Sequence, residues 1–135
     1  MIKNYYYLTL GILSILFSFS HAWNGQAKLL PLIDASSIDH VTRTTIFYVW
    51  HIITIENLVF GGVFLVMAFY KNLSKVGFAA WAIAIIMIAR WLVIFGSTLF
   101  KNKNGLMDIL TDTAAIFIYV GLIILGTRVK DKISV

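Results

Sequence analysis

The sequence predicts an all-α fold: a transmembrane four-helix bundle, antiparallel and up-down, with short loops except between the first two helices. Three observations carry that prediction. Only 13 % of the 135 residues are charged, against roughly a quarter in a soluble globular domain. The apolar share is 60 % and the mean hydropathy is +0.88. The apolar residues also fall into four runs, each long enough to cross a hydrocarbon core of roughly 30 Å at about 1.5 Å per residue. Inside lipid the backbone must satisfy its own hydrogen bonds within the segment, so these runs are expected as helices and not as strands. The chain reads as one integral membrane domain over residues 1–135.

The first run covers residues 5–22. Lys3, the short apolar stretch and Ser20-His21-Ala22 also fit a secretory signal peptide with a small-x-small cleavage site. Topology is the same in both readings, because Trp23 emerges on the outer side. The second helix is expected over 44–70, with an extension to 37 that the capping-box spacing of Ser36 and Asp39 allows. The third covers 76–100 and the fourth 106–127. The links 71–75 and 101–105 are short, the latter with Asn102, Asn104 and Gly105 as breakers. Such links make the second, third and fourth helices antiparallel neighbours. The stretch from Trp23 to Arg43 is the one real loop. It holds Pro31, and its Leu29, Leu30, Leu32 and Ile33 are too apolar for a solvated linker, so it is expected along the membrane interface or over the bundle mouth. Gly61-Gly62, Ala80 with Ala84, Gly121 and Gly126 are small residues that allow close helix contact.

Orientation follows from the cations between the runs. One side holds Lys3, Lys71, Lys75, Arg128, Lys130 and Lys132. The other holds Lys28, Arg43, Lys101 and Lys103. The bias predicts both termini in the cytoplasm, in a bacterial inner membrane. The net charge of +5 does not point to nucleic acid, because the cations sit singly or in small groups between apolar runs. The lipid bilayer is the expected partner, together with a second copy of the chain or another membrane protein. The absence of cysteine excludes disulfide exchange, thiolate metal sites and a cysteine nucleophile. No phosphate-cradling glycine loop, zinc-binding His-Glu-x-x-His or Gly-x-Ser-x-Gly elbow is present.

Arg90 is the only charge in the third run, and Glu56 is alone in the second. Neither has a partner one helical turn away, and an ionisable group at that depth needs one. Helical rise places His51 roughly 10 Å and Glu56 roughly 18 Å below the outer end of the second helix. Arg90 lies roughly 20 Å up the third helix and Asp112 about 9 Å down the fourth. Asp108 falls in the first turn of that helix, where the dipole favours a carboxylate. His21 sits at the outer end of the first helix. Arg90, Glu56, Asp112, His51 and Thr54 form the candidate polar cluster, with His21 and Asp108 as weaker members. A bridge from Arg90 to Glu56 or to Asp112 that holds helix register is one reading; contact of these groups with a ligand, proton or ion is the other. No cofactor is predicted, and haem or a metal through His21 and His51 is the alternative.

The stretch Tyr48-Val49-Trp50-His51-x-x-Thr54, after a Pro-Leu loop, resembles small uncharacterised bacterial membrane proteins with four helices. The resemblance covers the first and second helices and implies an architecture and no activity. The function expected from the residues is that of a small, non-enzymatic multi-pass membrane module, accessory, transport-related or protective. The alternative is a protein that binds a ligand, proton or redox cofactor in a polar pocket in the outer half of the bundle.

Overall fold

Asn4 starts the first helix. Its Oδ1 accepts the Tyr7 backbone N–H at 3.2 Å, which satisfies one of the donors a helix start leaves orphaned. In the computed structural model, which describes residues 1–130, α1 then spans Tyr5–Asn24. The helical path continues past its end. A π turn, Gly25–Leu29, leads into α2, Leu30–Asp34, with the backbone right-handed at both junctions. Much of the expected loop is therefore helical. Pro31 does not break it, because it sits in the first turn of α2, where a missing N–H removes no helix bond.

α3 spans His40–Phe69. Its cap is Asp39, whose Oδ1 accepts the Thr42 N–H at 3.0 Å and whose Oδ2 accepts the Thr42 hydroxyl at 2.6 Å. The expected start near residue 37 is thus corrected. Ser36 donates backwards to the Ile33 carbonyl at 2.5 Å and closes the segment before α3. α4 spans Leu73–Lys101. A 3-10 turn, Lys103–Leu106, precedes α5, Leu110–Thr127. The described residues are otherwise turns and short connections, with no strand.

α3, α4 and α5 are each long and apolar enough to cross a membrane. Within their most apolar stretches only 28 %, 22 % and 28 % of residues are buried, so most of that apolar surface faces away from the protein core. α1 is not in this set although it has 20 residues. Its tyrosines and Ser14, Ser18, His21 and Asn24 dilute it, and a helix packed on its neighbours needs less apolar surface. Ser14 and Ser18 are themselves buried.

α1 lies tightly on α3, with α5 against α1 and α4 against α5, while α3 touches α4 only sparsely. The α1–α3 approach is close because Gly61 faces the Gly11 carbonyl: a Cβ on Gly61 would stand 3.1 Å from that oxygen. The Lys3 and Asn4 N–H groups donate to the Ala68 carbonyl. Further along, the Ser18 hydroxyl donates to the Thr54 carbonyl at 2.8 Å, and the Trp50 indole donates to the His21 carbonyl at 3.0 Å. Positions therefore descend along α3 as they ascend along α1. Asn4 Nδ2 also donates to the Gly126 carbonyl of α5 at 2.8 Å, which joins three helices at one end. The apolar core, from Tyr7, Leu10, Phe64 and Met67 to Ala80, Ala84 and Ile123, fills that same end.

Candidate functional site

The other end is not filled. Between α1, α3, α4 and α5 lies a cavity of about 610 Å³. Its walls include Phe17, Ile53, Met87, Ile94 and Ile116, and its polar lining includes Ser14, His21, Asn24, Asn57, Arg90, Asp112 and Tyr119. Ser14 and Tyr119 close the floor with a 2.5 Å hydrogen bond between their hydroxyls, and Ser14 also donates to the Leu10 carbonyl. Asn24 and His21 stand at the far end of α1. Ser14 to Asn24 is roughly 15 Å of helix, which sets the depth of the cavity.

Arg90 reaches across from α4 to α3. One terminal nitrogen donates to Asn57 Oδ1 at 3.2 Å, and the other pairs with Glu56 Oε2. These are the hydrogen bonds between α3 and α4 among the described residues. The side chains of Arg90 and Glu56 are 18 % and 31 % exposed, so the pair lies at the seam and not in the closed core. Of the two partners expected for Arg90, the structure selects Glu56. Asn57 was not anticipated, although a second polar residue beside Glu56 in an apolar run is a signal available in the sequence.

Asp112 lines the cavity from α5. It lies in the first turn of that helix, not deep in it, because α5 starts at Leu110 and not near residue 106. Asp108 accordingly falls in the turn before α5, exposed and outside the cavity. The carboxylate placed to complement the α5 dipole is Asp112, which corrects the role expected of Asp108.

His21 also lines the cavity. Its ring stacks on Trp50, with centroids 4.1 Å apart and planes 8° from parallel, and its buried Nε2 has no hydrogen-bond partner among the described residues. His51 does not join it. His51 Nε2 meets Gln26 Nε2 at 3.0 Å, its ring stands edge-on to Phe47, and it lines a separate open groove with Tyr48, Ile52, Ile55 and Glu56. The two histidines expected as an alternative haem or metal pair thus serve different concavities. No group of three or more His, Asp or Glu is gathered as a metal site among the described residues. Thr54 is a helix-packing residue: its hydroxyl turns back to the Trp50 carbonyl and its own carbonyl holds Ser18.

The site thus unites Arg90, Asp112 and His21 around one cavity, attaches Glu56 at its edge and leaves His51, Thr54 and Asp108 outside. Ser14 and Tyr119 are further members that sequence reasoning missed. Both lie in apolar runs, and each looks solvable by a local carbonyl until the helices are brought together. Comparison with protein-family models, with curated proteins and with solved structures gives no match.

Proposed function

We propose that the chain is a small multi-pass integral membrane protein, an antiparallel up-down four-helix bundle with α1 as the fourth span, that binds a small amphipathic molecule without catalysing its conversion. The 610 Å³ cavity carries this reading. Its volume is that of a small-molecule site, roughly 300–1,000 Å³, and such sites combine apolar walls with a few placed polar groups. The charges narrow the ligand. Arg90 is already neutralised by Glu56, whereas Asp112 has no cationic partner within salt-bridge reach among the described residues. A second anion would meet that carboxylate at close range. The ligand is therefore an amphiphile whose head is uncharged or an amine.

Orientation has support of the same kind. The contacts of Lys3 and Asn4 with Ala68 and Gly126 bring the start of α1, the α3–α4 link and the end of α5 to one end. Lys3, Lys71, Lys75, Arg128 and Lys130 belong to that end; Lys132, also counted with it, lies outside the described residues. The opposite end holds Lys28, Arg43, Lys101 and Lys103 together with the four described aspartates, Asp34, Asp39, Asp108 and Asp112. Lysine and arginine mark the cytoplasmic side, so the termini are cytoplasmic and the cavity faces the outer leaflet of a bacterial inner membrane.

The test uses diazirine-tagged decanol, decylamine and decanoate with the protein in lipid nanodiscs, and peptide mapping after illumination. Decanol and decylamine are expected to label Phe17, Met87 and Ile94, decanoate much less, and Ile94→Trp is expected to abolish that labelling. Equal labelling of outward residues such as Phe78, Ile85 and Leu92 by all three probes, with none in the cavity, overturns the proposal.

A further inference from the structure

The cavity and the outer groove on α3 share a boundary, and that boundary is the Arg90 bridge. Arg90 and Asn57 line the cavity, whereas Glu56 lines the groove, which is otherwise walled by His51 and by the largely apolar side chains of Phe47, Tyr48, Ile52, Ile55 and Val59. The α3–α4 seam has the sparsest contact of the four seams that close the ring of long helices. On the α4 side of the seam Val93 lines the cavity and is also 68 % exposed, so the wall there is thin. Nothing polar other than Arg90 with Glu56 and Asn57 crosses the seam among the described residues.

We propose that the α3–α4 seam is a lateral portal from the bilayer into the cavity, latched by Arg90 on Glu56 and Asn57, through which a bilayer-dissolved amphiphile without a negative charge enters. The proposal rests on the ligand-binding reading of the same cavity. The physical logic is local. An alkyl chain from the outer leaflet lies in the apolar groove beside Glu56, where aliphatic and aromatic side chains are its natural surroundings. Its head then passes between Glu56 and Val93 while the guanidinium swings with one of its two α3 partners. Arg90 has five N–H donors and uses two on α3. The latch can therefore release one partner and hold the other, which keeps the cost of opening below that of freeing the whole ion pair.

The chain contains no cysteine, so Ile94→Cys in the cavity wall gives a single reporter thiol in the full-length protein reconstituted in liposomes. The thiolate adds across the double bond of a maleimide, with no other reagent needed. Two probes are used: an N-decyl maleimide, which dissolves in the bilayer, and a sulfonated maleimide, which stays in water. The Glu56→Gln substitution is expected to raise the decyl-maleimide rate severalfold and leave the sulfonated rate unchanged, and Val93→Trp added to it is expected to reverse the gain. Asn57→Leu, which removes the other half of the latch, supplies the same comparison if Glu56→Gln does not fold. Decyl-maleimide rates unaffected by the latch substitutions, or reaction with the aqueous probe alone, overturn the portal and leave the cavity standing. Failure of both probes to reach the thiol in a folded protein removes the cavity, and with it the ligand-binding reading itself.

Discussion

The Arg90 bridge makes a double-substitution cycle decisive. Arg90→Met removes the guanidinium and leaves the Glu56 carboxylate and the Asn57 amide of α3 without their partner from α4. Glu56→Leu leaves Arg90 with Asn57 alone. Breaking a buried ion pair from one side costs about 3–5 kcal/mol, because a charge remains without its partner. The two side chains are 18 % and 31 % exposed, and that partial exposure discounts the cost. Each single substitution is therefore expected near the lower end, about 3 kcal/mol. The double substitution removes both charges and strands only the Asn57 amide, at about 1 kcal/mol. The coupling energy is then on the order of several kcal/mol, well beyond the roughly 0.5 kcal/mol within which independent sites add. Unfolding in mixed micelles by increasing detergent fraction, followed by circular dichroism, measures all four chains. If each single change costs less than about 1 kcal/mol and the two simply add, the pair behaves as a water-exposed one. The claim that Arg90 ties α3 to α4 is then refuted.

Four further outcomes follow from other parts of the fold. A Cβ at Gly25 would stand 2.1 Å from Trp50 Nε1, and the indole cannot retreat freely because it stacks on His21; Gly25→Ala is expected to cost about 1–3 kcal/mol and shift the tryptophan emission. Gly62→Ala, with nothing within 4 Å of the new Cβ, should stay within about 0.5 kcal/mol of the parent in the same assay. Asn4→Ala removes both a helix cap and the donor to the Gly126 carbonyl, for a combined loss of about 2 kcal/mol and earlier loss of the α5 signal on heating. The Asp39 carboxyl is held below its ordinary value of 3.8, first by the Thr42 hydroxyl and then by the Thr42 N–H. A depressed folded-state value stabilises above the unfolded value and is lost as pH falls through the folded one. Protection of the Thr42 amide, measured against its intrinsic exchange rate at each pH, should therefore persist above about pH 4 and fall below it, while Asp39→Ala should be unprotected throughout.

The lone charges in the long apolar runs are the most legible part of the site. Arg90 and Glu56 had no neighbours of opposite charge on their own helices, so a cross-helix partner was a physical requirement and the structure supplies it. The choice between Glu56 and Asp112 was not legible, because it turns on where α5 begins. A start near residue 106 puts Asp112 two turns down; the 3-10 turn over Lys103–Leu106 delays the helix to Leu110 and leaves Asp112 at the rim. The stretch after Trp23 is largely helical where the sequence suggests a loop, for a related reason. Gly25 and Pro31 are breakers by composition, yet Gly25 is there to admit the Trp50 indole and Pro31 sits where a helix starts. Both facts depend on a residue, or a boundary, that local pattern does not contain. Gly61 and Gly126 were correctly read as close-contact residues. Gly62 and Gly121 face open space, and only the helix rotation distinguishes the two sorts.

The contrast between the two ends of the protein has a common cause. At the end near the termini the facing positions are small, Ala68, Ala80, Ala84, Gly61 and Gly126, so backbones approach until side chains such as Tyr7 and Phe64 fill the remaining space. Van der Waals contact of this kind is what holds helices together in lipid, where no hydrophobic force acts between them. At the other end the contacts are made by long side chains: Arg90 spans to α3, Trp50 stacks on His21, and Trp91 reaches Thr113 at 3.2 Å. Struts of that length hold the helices apart and leave volume between them. They also leave polar groups beside that volume: Asn57, Arg90 and Asp112 line it together with Met87, Ile94 and Ile116. An amphiphile of the kind proposed would set its head against Asp112 and its tail against Met87, Ile94 and Ile116. The same struts that create the space therefore place both a polar and an apolar lining around it.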